Sequence, residues 1–295
     1  MIDVGIIGGS GLCNLDGLKN KKEVAVKTPF GNPSDKIITG ELAGVKIGFL
    51  ARHNRKHIFT PTEVPYRANI YALKKLGARV VLAFSAVGSL TDKMPPKTLV
   101  FPDQDVDKTT LRANTFFGNG LVGHAPFGEP FCKCLRELLI KEAKNLKIPH
   151  SKNGTVIAME GPAYSSKAES QFHRKMGWHL IGMTACPETK LAREAGLAFA
   201  LTAMVTDYDC WKEDEEGVTH AKVLETMKTN EVYAKKLLAA VLPKIKKLKR
   251  CGACNETLLN TFSAEQRKAH KATWNKIKLI LEKYILCSTL KTILI

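Results

Sequence analysis

The sequence predicts an α/β protein, and three observations carry that prediction. Short apolar, β-branched runs alternate with segments of helical spacing along the first 243 residues. Several of those runs end in small or glycine-rich loops, where open α/β sheets form their crevices. No internal repeat and no linker interrupts the alternation before Pro243.

The elements follow in order. Val4 to Ile7 is an apolar run that leads into Gly8-Gly9-Ser10-Gly11. Ile37 to Leu50 reads as a hairpin, with its turn near Ala43-Gly44. Val64 to Leu76 has Tyr66, Ile70, Leu73 and Leu76 at helical spacing, and Gly77 stands where a C-terminal cap belongs. Arg79 to Phe84 is a buried-strand candidate, and Thr98 to Pro102 is a shorter one. Pro130 to Leu146 is an amphipathic helix with Phe131, Leu135, Leu138, Leu139 and Ala143 on one side. Thr155 to Met159 is strand-like, and Lys167 to Met176 and Pro187 to Ala195 are helical. Leu197 to Val205 is an apolar strand, and Thr219 to Leu242 is a long helix. Beyond Pro243 the composition turns to Lys, Cys and polar residues. Trp274, Ile277, Leu281, Tyr284 and Ile285 then form one helical stripe. The division expected is residues 1–243 as the main domain, with 244–295 as a basic extension docked on it or on a neighbouring subunit.

Composition narrows the function classes. The chain of 295 residues is 44% hydrophobic and 25% charged, which is ordinary for a globular protein. No eighteen-residue apolar stretch exists, so no membrane partner is expected. Met1-Ile2-Asp3 runs straight into a strand, without a signal-peptide pattern, so a cytoplasmic location is expected. The formal charge of +17 is concentrated at the end. Residues 235–295 hold 14 Lys and Arg against 3 Asp and Glu. No aromatic-interleaved basic patch accompanies that charge, so a solvated helix face is expected rather than a nucleic-acid site. Eight cysteines include Cys132 and Cys134 as CxC and Cys251 and Cys254 as CxxC. A structural zinc site usually takes four ligands. One CxxC, with His270 and Cys287 far off, does not supply them, so free thiols and no metal are expected.

The segment Met204-Val205-Thr206-Asp207-Tyr208-Asp209-Cys210-Trp211 carries the most chemistry. It ends an apolar strand with two carboxylates two residues apart, a spacing that points both to one side. Close carboxylates resist double ionisation. One can then donate a hydrogen bond or proton to a ring nitrogen while the other accepts from an exocyclic amine, a pattern that fits a 6-aminopurine. Arg52-His53-Asn54-Arg55-Lys56-His57 follows another apolar run. Five of its six residues carry or can carry positive charge, which is costly to bury without an anion. An arginine fork there matches phosphate geometry. Gly8-Gly9-Ser10-Gly11 lacks GxGxxG spacing and the Lys-Ser/Thr of a P-loop, so a dinucleotide or ATP site is not indicated. Ser85-Ala86-Val87-Gly88-Ser89, Met183-Thr184 and the loop Glu160 to Ser166, with Tyr164, complete the strand-end loops.

Taken in order, GIIGGSGL, TPFGNPSD, ARH, RANIYALKKLG, SAVGSL, EGPAYSSKAES, MT.CPE and TDYDCW resemble the 5′-methylthioadenosine phosphorylases of the trimeric purine nucleoside phosphorylase group. The resemblance spans about Val4 to Pro243. It implies a nucleoside phosphorylase fold, with a mixed, bent central sheet flanked by helices. It implies reversible phosphorolysis of 5′-methylthioadenosine in purine and methionine salvage, with inorganic phosphate as co-substrate and no metal or organic cofactor. By the same resemblance Ser10, Arg52, His53, Ser85, Ala86 and Thr184 would bind phosphate. Met183 would lie under the ribose and Tyr164 against the purine. Asp207 would be the catalytic acid and Asp209 the acceptor for the 6-amino group. His57 and His124 would approach the 5′-substituent across a subunit boundary, in a homotrimer or a hexamer. Ser10 and Ser85 stand where relatives often have Thr, and Ala163 and Gly182 replace Arg and Asn. Three other readings stay open at this point: a purine nucleoside phosphorylase of broad or 6-oxopurine preference, a hydrolytic nucleosidase, and a noncatalytic nucleic-acid-binding relative.

Overall fold

A computed structural model describes residues 1–295, apart from 14, 213–219, 249–250, 256, 259–261, 263 and 292–295. The side chains of 10, 13, 220–223, 253, 255, 264–265 and 282–291 are likewise outside the description. The strands are β1 (Val4–Gly8), β2 (Lys19–Val24), β3 (Ile37–Leu42), β4 (Val45–Ala51), β5 (Val80–Ser89), β6 (Leu99–Val100), β7 (Gln104–Asp107), β8 (His150–Ser151), β9 (Thr155–Ala158), β10 (Leu180–Gly182) and β11 (Ala198–Asp207). The helices are α1 (Tyr66–Lys75), α2 (Lys133–Asn145), α3 (Lys167–Lys175), α4 (Ala185–Glu194), α5 (His220–Ile245), α6 (Gly252–Asn255), α7 (Ala264–Ala269) and α8 (Lys271–Lys291), with a short 3₁₀ turn at Ser10–Cys13.

The α/β prediction holds, and the sheet is mixed and branched. Its main path runs β2-β3-β4-β1-β5-β10-β9-β7, and β11, β6 and β8 leave it at β5. The branch has a simple cause. β5 is ten residues long, but its parallel partner β1 leaves it after Ala83. β11 follows it on the other side as far as Gly88, and β10 pairs antiparallel with Gly88 and Ser89. Between the end of β1 and the start of β10, one edge of β5 lacks a strand neighbour. That gap is the crevice expected at the carboxyl ends of parallel strands.

Alternation along the strands sorts the core onto two sides. Ile7 joins Ile70, Leu73, Leu191, Phe199 and the tail residues Trp274, Ile277 and Leu281. Its neighbour Ile6 joins Phe49, Phe84, Leu135, Leu139, Leu237 and Val241. The stripe in the basic extension is therefore docked on the core beside α1, one of the two places expected for it, at Trp274, Ile277 and Leu281. Thr273 also donates to the carbonyl of Asn119 at 3.1 Å, which ties α8 to the loop before His124.

The hairpin turn falls where expected. Ala43 and Gly44 both have positive φ, 50° and 75°, as a tight two-residue hairpin loop demands. β2 was not expected. Its sequence, Lys-Asn-Lys-Lys-Glu-Val, is nearly all exposed on the sheet edge, so it carries no apolar alternation. Edge lysines of this kind also discourage pairing with another chain.

Candidate active site

Three parallel strands deliver the phosphate-site candidates to one edge. β1 pairs with both β4 and β5, so the residues after Gly8, Ala51 and Phe84 emerge side by side. The backbone N–H of Arg52 donates to the carbonyl of Gly8 at 2.9 Å, which holds the Gly9-Ser10 turn beside Arg52. Ser85 and Thr184 share a hydrogen bond between their hydroxyls at 2.9 Å, and both are buried. Thr184 caps α4. Glu188 follows in α4, beyond a break in helical geometry at Cys186, where φ is −101° and ψ 137°.

Arg52 is the centre of this group, but it departs from expectation. Its guanidinium is almost fully buried, and its fork grips Glu188, with Nε and Nη2 donating at 2.6 and 3.0 Å. Nη1 donates at 2.9 Å to the carbonyl of Phe84, the first β5 carbonyl beyond the end of β1. The anion that makes this charge tolerable is thus a carboxylate of the chain itself. Three of five N–H donors are engaged in these contacts, which leaves one on each terminal nitrogen for an oxyanion. Arg55 is likewise committed, to Asp35 at 2.9 and 3.0 Å and to Glu23. Both arginines of the basic run are therefore held in ion pairs. Glu188 was invisible to sequence reasoning, because a glutamate early in a helix reads as a dipole partner.

His53 accompanies Arg52. Its Nδ1 lies 2.9 Å from the carbonyl of Phe59, which can only accept, so Nδ1 carries the proton. Burial, then the nearby Arg52 charge, pull its pKa down to about 4. The ring is neutral at pH 7. Since an unfolded histidine titrates near 6.5, the unfolded chain binds the extra proton first on acidification. His53 should therefore reduce stability as pH falls from about 6.5 to 4, by up to about 3 kcal/mol. His53→Asn preserves a donor near Phe59 and removes the titration. Denaturant unfolding at pH 7 and pH 4.5 is expected to show a smaller loss in the variant than in the wild type; equal losses would refute the assignment.

The paired carboxylates sit on the far side of β5. A register shift between Val205 and Asp207 skips Thr206 and sets Asp207 opposite Gly88. Such bulges commonly re-aim side chains at sites. The expectation that Asp207 and Asp209 share a strand face is corrected here. β11 ends at Asp207, and Asp209 has a left-handed backbone, φ 55°. A turn brings it back instead, and its N–H donates to Asp207 Oδ1 at 2.8 Å. Thr206 Oγ1 donates to Asp207 Oδ2 at 2.6 Å, so the Asp207 carboxyl is oriented from both sides. Gly88 makes room for them: a β-carbon there would stand 2.9 Å from Asp207 Oδ1 and 3.3 Å from Asp209 Cβ. Asp209 Oδ2 is buried and accepts no hydrogen bond from the described residues. A buried acceptor left so costs about 1–3 kcal/mol, which a ligand donor would recover.

Between the two clusters, Ala86 is exposed although it lies inside a central strand. It forms an uncovered floor between the Ser85–Thr184 pair and the Asp207–Asp209 pair. Gly182, the residue before Met183, lies over this floor, where a β-carbon would stand 3.7 Å from the Ala86 carbonyl oxygen, and the Met183 sulfur would be 2.5 Å from a β-carbon at Gly161. Arg112, which sequence reasoning missed, holds these walls. Its buried guanidinium donates to Glu160 Oε1 at 2.9 Å, to the carbonyls of Glu160 at 2.6 Å and Cys186 at 2.9 Å, to Tyr66 Oη at 3.2 Å, and to the carbonyl of Met183. Burial alone would raise Glu160, but hydrogen bonds from Thr62, Thr110, Leu111 and Arg112 outweigh it and bring the carboxyl down to about 2.

Other expected residues stand further out. Tyr164 is 54% exposed, on a loop tied to Cys210 through the carbonyl of Ser165. His57 is exposed and stacks on His53, with ring centres 4.9 Å apart. His124 is exposed on the segment leading to α2. The backbone of Ser10 is in place, and its side chain lies outside the description.

Buried hydroxyls and a buried arginine thus stand on one side of an exposed strand residue, and a pair of carboxylates on the other. Residues 3–243 match the model of the phosphorylase superfamily. The chain belongs to that superfamily and, within it, to the S-methyl-5′-thioadenosine phosphorylase family. It is 44% identical over 285 residues to S-methyl-5′-thioadenosine phosphorylase of Prochlorococcus marinus, covering 95% of this chain and 90% of that one. It is also similar to the crystal structure of a methylthioadenosine phosphorylase from an Antarctic soil metagenomic library, with a TM-score of 0.85 and 40% identity over 95% of this chain and 99% of that one. A methylthioadenosine phosphorylase of Schistosoma mansoni, solved in complex with adenine, gives a TM-score of 0.78 and 36% identity over 92% of this chain and 97% of that one.

Proposed function

We propose that this chain catalyses the reversible phosphorolysis of 5′-methylthioadenosine to adenine and 5-methylthioribose 1-phosphate. The observation that carries the reading is the orphaned, buried Oδ2 of Asp209 beside an oriented Asp207. It suits a ligand that offers an amine at one position and a ring nitrogen next to it. The relatives named above carry the same activity in their names.

In this reading Arg52, Ser85 and Thr184, with Ser10 and the Ala86 backbone, set phosphate beneath the anomeric carbon. The sugar becomes oxocarbenium-like as the base departs, and phosphate charge stabilises it before bonding to C1′. The glycosidic electron pair moves into the purine, and Asp207 supplies the proton or hydrogen bond that N7 then needs. Asp209 accepts from the 6-amino group. Met183 lies under the ribose, and Tyr164 closes over the base. His57 and His124, both exposed in a single chain, serve the 5′-substituent of a neighbouring subunit in a homotrimer. Phosphate is the co-substrate, and cytoplasmic purine and methionine salvage is the setting.

Base release from methylthioadenosine, adenosine and inosine, each with and without phosphate, tests this. Phosphate-dependent release from methylthioadenosine, well above inosine, is expected. Release without phosphate would make the protein a nucleosidase, and equal use of inosine would make it a general purine nucleoside phosphorylase. Base choice gives a sharper test. A 6-oxopurine sets O6 against Asp209, acceptor to acceptor, at a cost of about 1–3 kcal/mol, or roughly tenfold to a hundredfold in specificity. Asp209→Asn can present a donor, so the inosine-to-methylthioadenosine ratio of kcat/KM should rise. An unchanged ratio would remove Asp209 from base recognition.

A further inference from the structure

We propose that Cys132, Cys251 and Cys254, with Cys134 as the fourth ligand, form a structural site for a thiophilic divalent cation, Zn²⁺, that clasps the C-terminal extension to α2. The sequence separates the two cysteine pairs by more than a hundred residues, and the fold brings them together. The sulfurs of Cys132, Cys251 and Cys254 all lie within 4.8 Å of one another. Cys134 lies outside that cluster but lines the same cavity as Cys132 and Cys251. Each of the four is a thiol, with Cys132 and Cys254 buried. Four thiolates at about 2.3 Å from one zinc ion lie roughly 3.8 Å apart in a tetrahedral site. The three clustered sulfurs are already near that spacing, and Cys134, two residues along the chain from Cys132, would turn its side chain inward to complete the set.

The surroundings suit a negatively charged zinc–thiolate centre. Cys132 is the N-cap of the 13-residue α2, whose positive end favours thiolate. Arg79 and Lys246 line a cavity of about 40 Å³ together with Cys132, Cys134 and Cys251. The remaining described cysteines are committed elsewhere: Cys186 donates to Asp105 and Cys210 to the carbonyl of Ser165.

The cluster is remote from the chemistry. The N–H of Cys132 bonds to the carbonyl of Phe199, at the start of β11, whereas Asp207 ends that strand. Eight residues of strand separate them by roughly 26 Å. A metal there would act on stability, by fixing the Cys251–Asn255 turn from which the chain continues to α8.

The test uses the full chain, purified under reducing conditions without chelator. Elemental analysis should find one zinc per chain, released in step with modification of the four thiols by a mercurial. Cobalt substitution should give the thiolate-to-cobalt charge-transfer band and the intense visible bands of tetrahedral sulfur ligation. Cys132→Ser and Cys254→Ser should lose the metal, while Cys186→Ser and Cys210→Ser keep it. Stripping zinc from the wild type should lower the thermal midpoint and leave kcat and KM at low temperature unchanged. Substoichiometric metal in the wild type, with all four thiols reacting freely in the native state, would overturn the proposal. So would a mass lower by two hydrogens with a Cys132–Cys254 or Cys134–Cys251 disulfide.

Discussion

Asp207→Ala should lower kcat about 10²- to 10⁴-fold with every purine nucleoside, the range that a positioned general acid contributes. KM should change little, because Asp209 and the phosphate cluster remain. The alanine also strands the Asp209 N–H and leaves the Thr206 hydroxyl only the Val87 carbonyl, so Asp207→Asn is the cleaner probe. An asparagine carbonyl still accepts one of those bonds, but it supplies no proton. Both variants should be slow, and both should recover most activity on a nucleoside whose base leaves without protonation. An Asp207→Asn enzyme with wild-type kcat would disprove the acid role.

Glu188→Ala should cost about 3–5 kcal/mol of stability, the penalty for leaving a buried charge without its partner. Both side chains of the Arg52–Glu188 pair are within 3% of full burial, so water cannot substitute for the lost carboxylate. Phosphate can. Saturating phosphate should therefore raise the thermal midpoint of Glu188→Ala more than it raises that of the wild type. Arg52→Ala gives the mirror image, with loss of apparent phosphate affinity and no exaggerated phosphate rescue. If phosphate protects wild type and Glu188→Ala equally, Arg52 does not face the phosphate.

Much of this was legible in the sequence because the signals are local. The apolar strands β1, β5 and β11, the Ala43-Gly44 turn and the helical stripes of α1 and α2 each announce themselves within about ten residues. The expected ends differ by a few residues. β5 continues from Phe84 to Ser89 because its small residues pair with β11 and β10. What failed depended on contacts between distant parts. Glu188 acquires its meaning only from Arg52, and Arg112 only from the carbonyls of two loops. The carboxylate pair was found for a partly wrong reason: a bulge and a left-handed turn, not strand alternation, bring Asp207 and Asp209 together. The cysteine pairs were each seen but not joined, since spacing along the chain says nothing of a contact made by folding.

Arg112 has a further consequence for anyone who would re-engineer this enzyme. One guanidinium carries both the loop at Glu160, proposed to face the base, and the loop at Met183 and Cys186, proposed to face the ribose. The two loops are not interchangeable cassettes. Transplanting residues 160–166 from a relative with another base preference would shift the carbonyl that Arg112 grips and pull Met183 with it. A graft meant to alter recognition of the base would then alter the seat of the sugar. The transferable unit is a discontinuous one, made of both loops and the arginine between them.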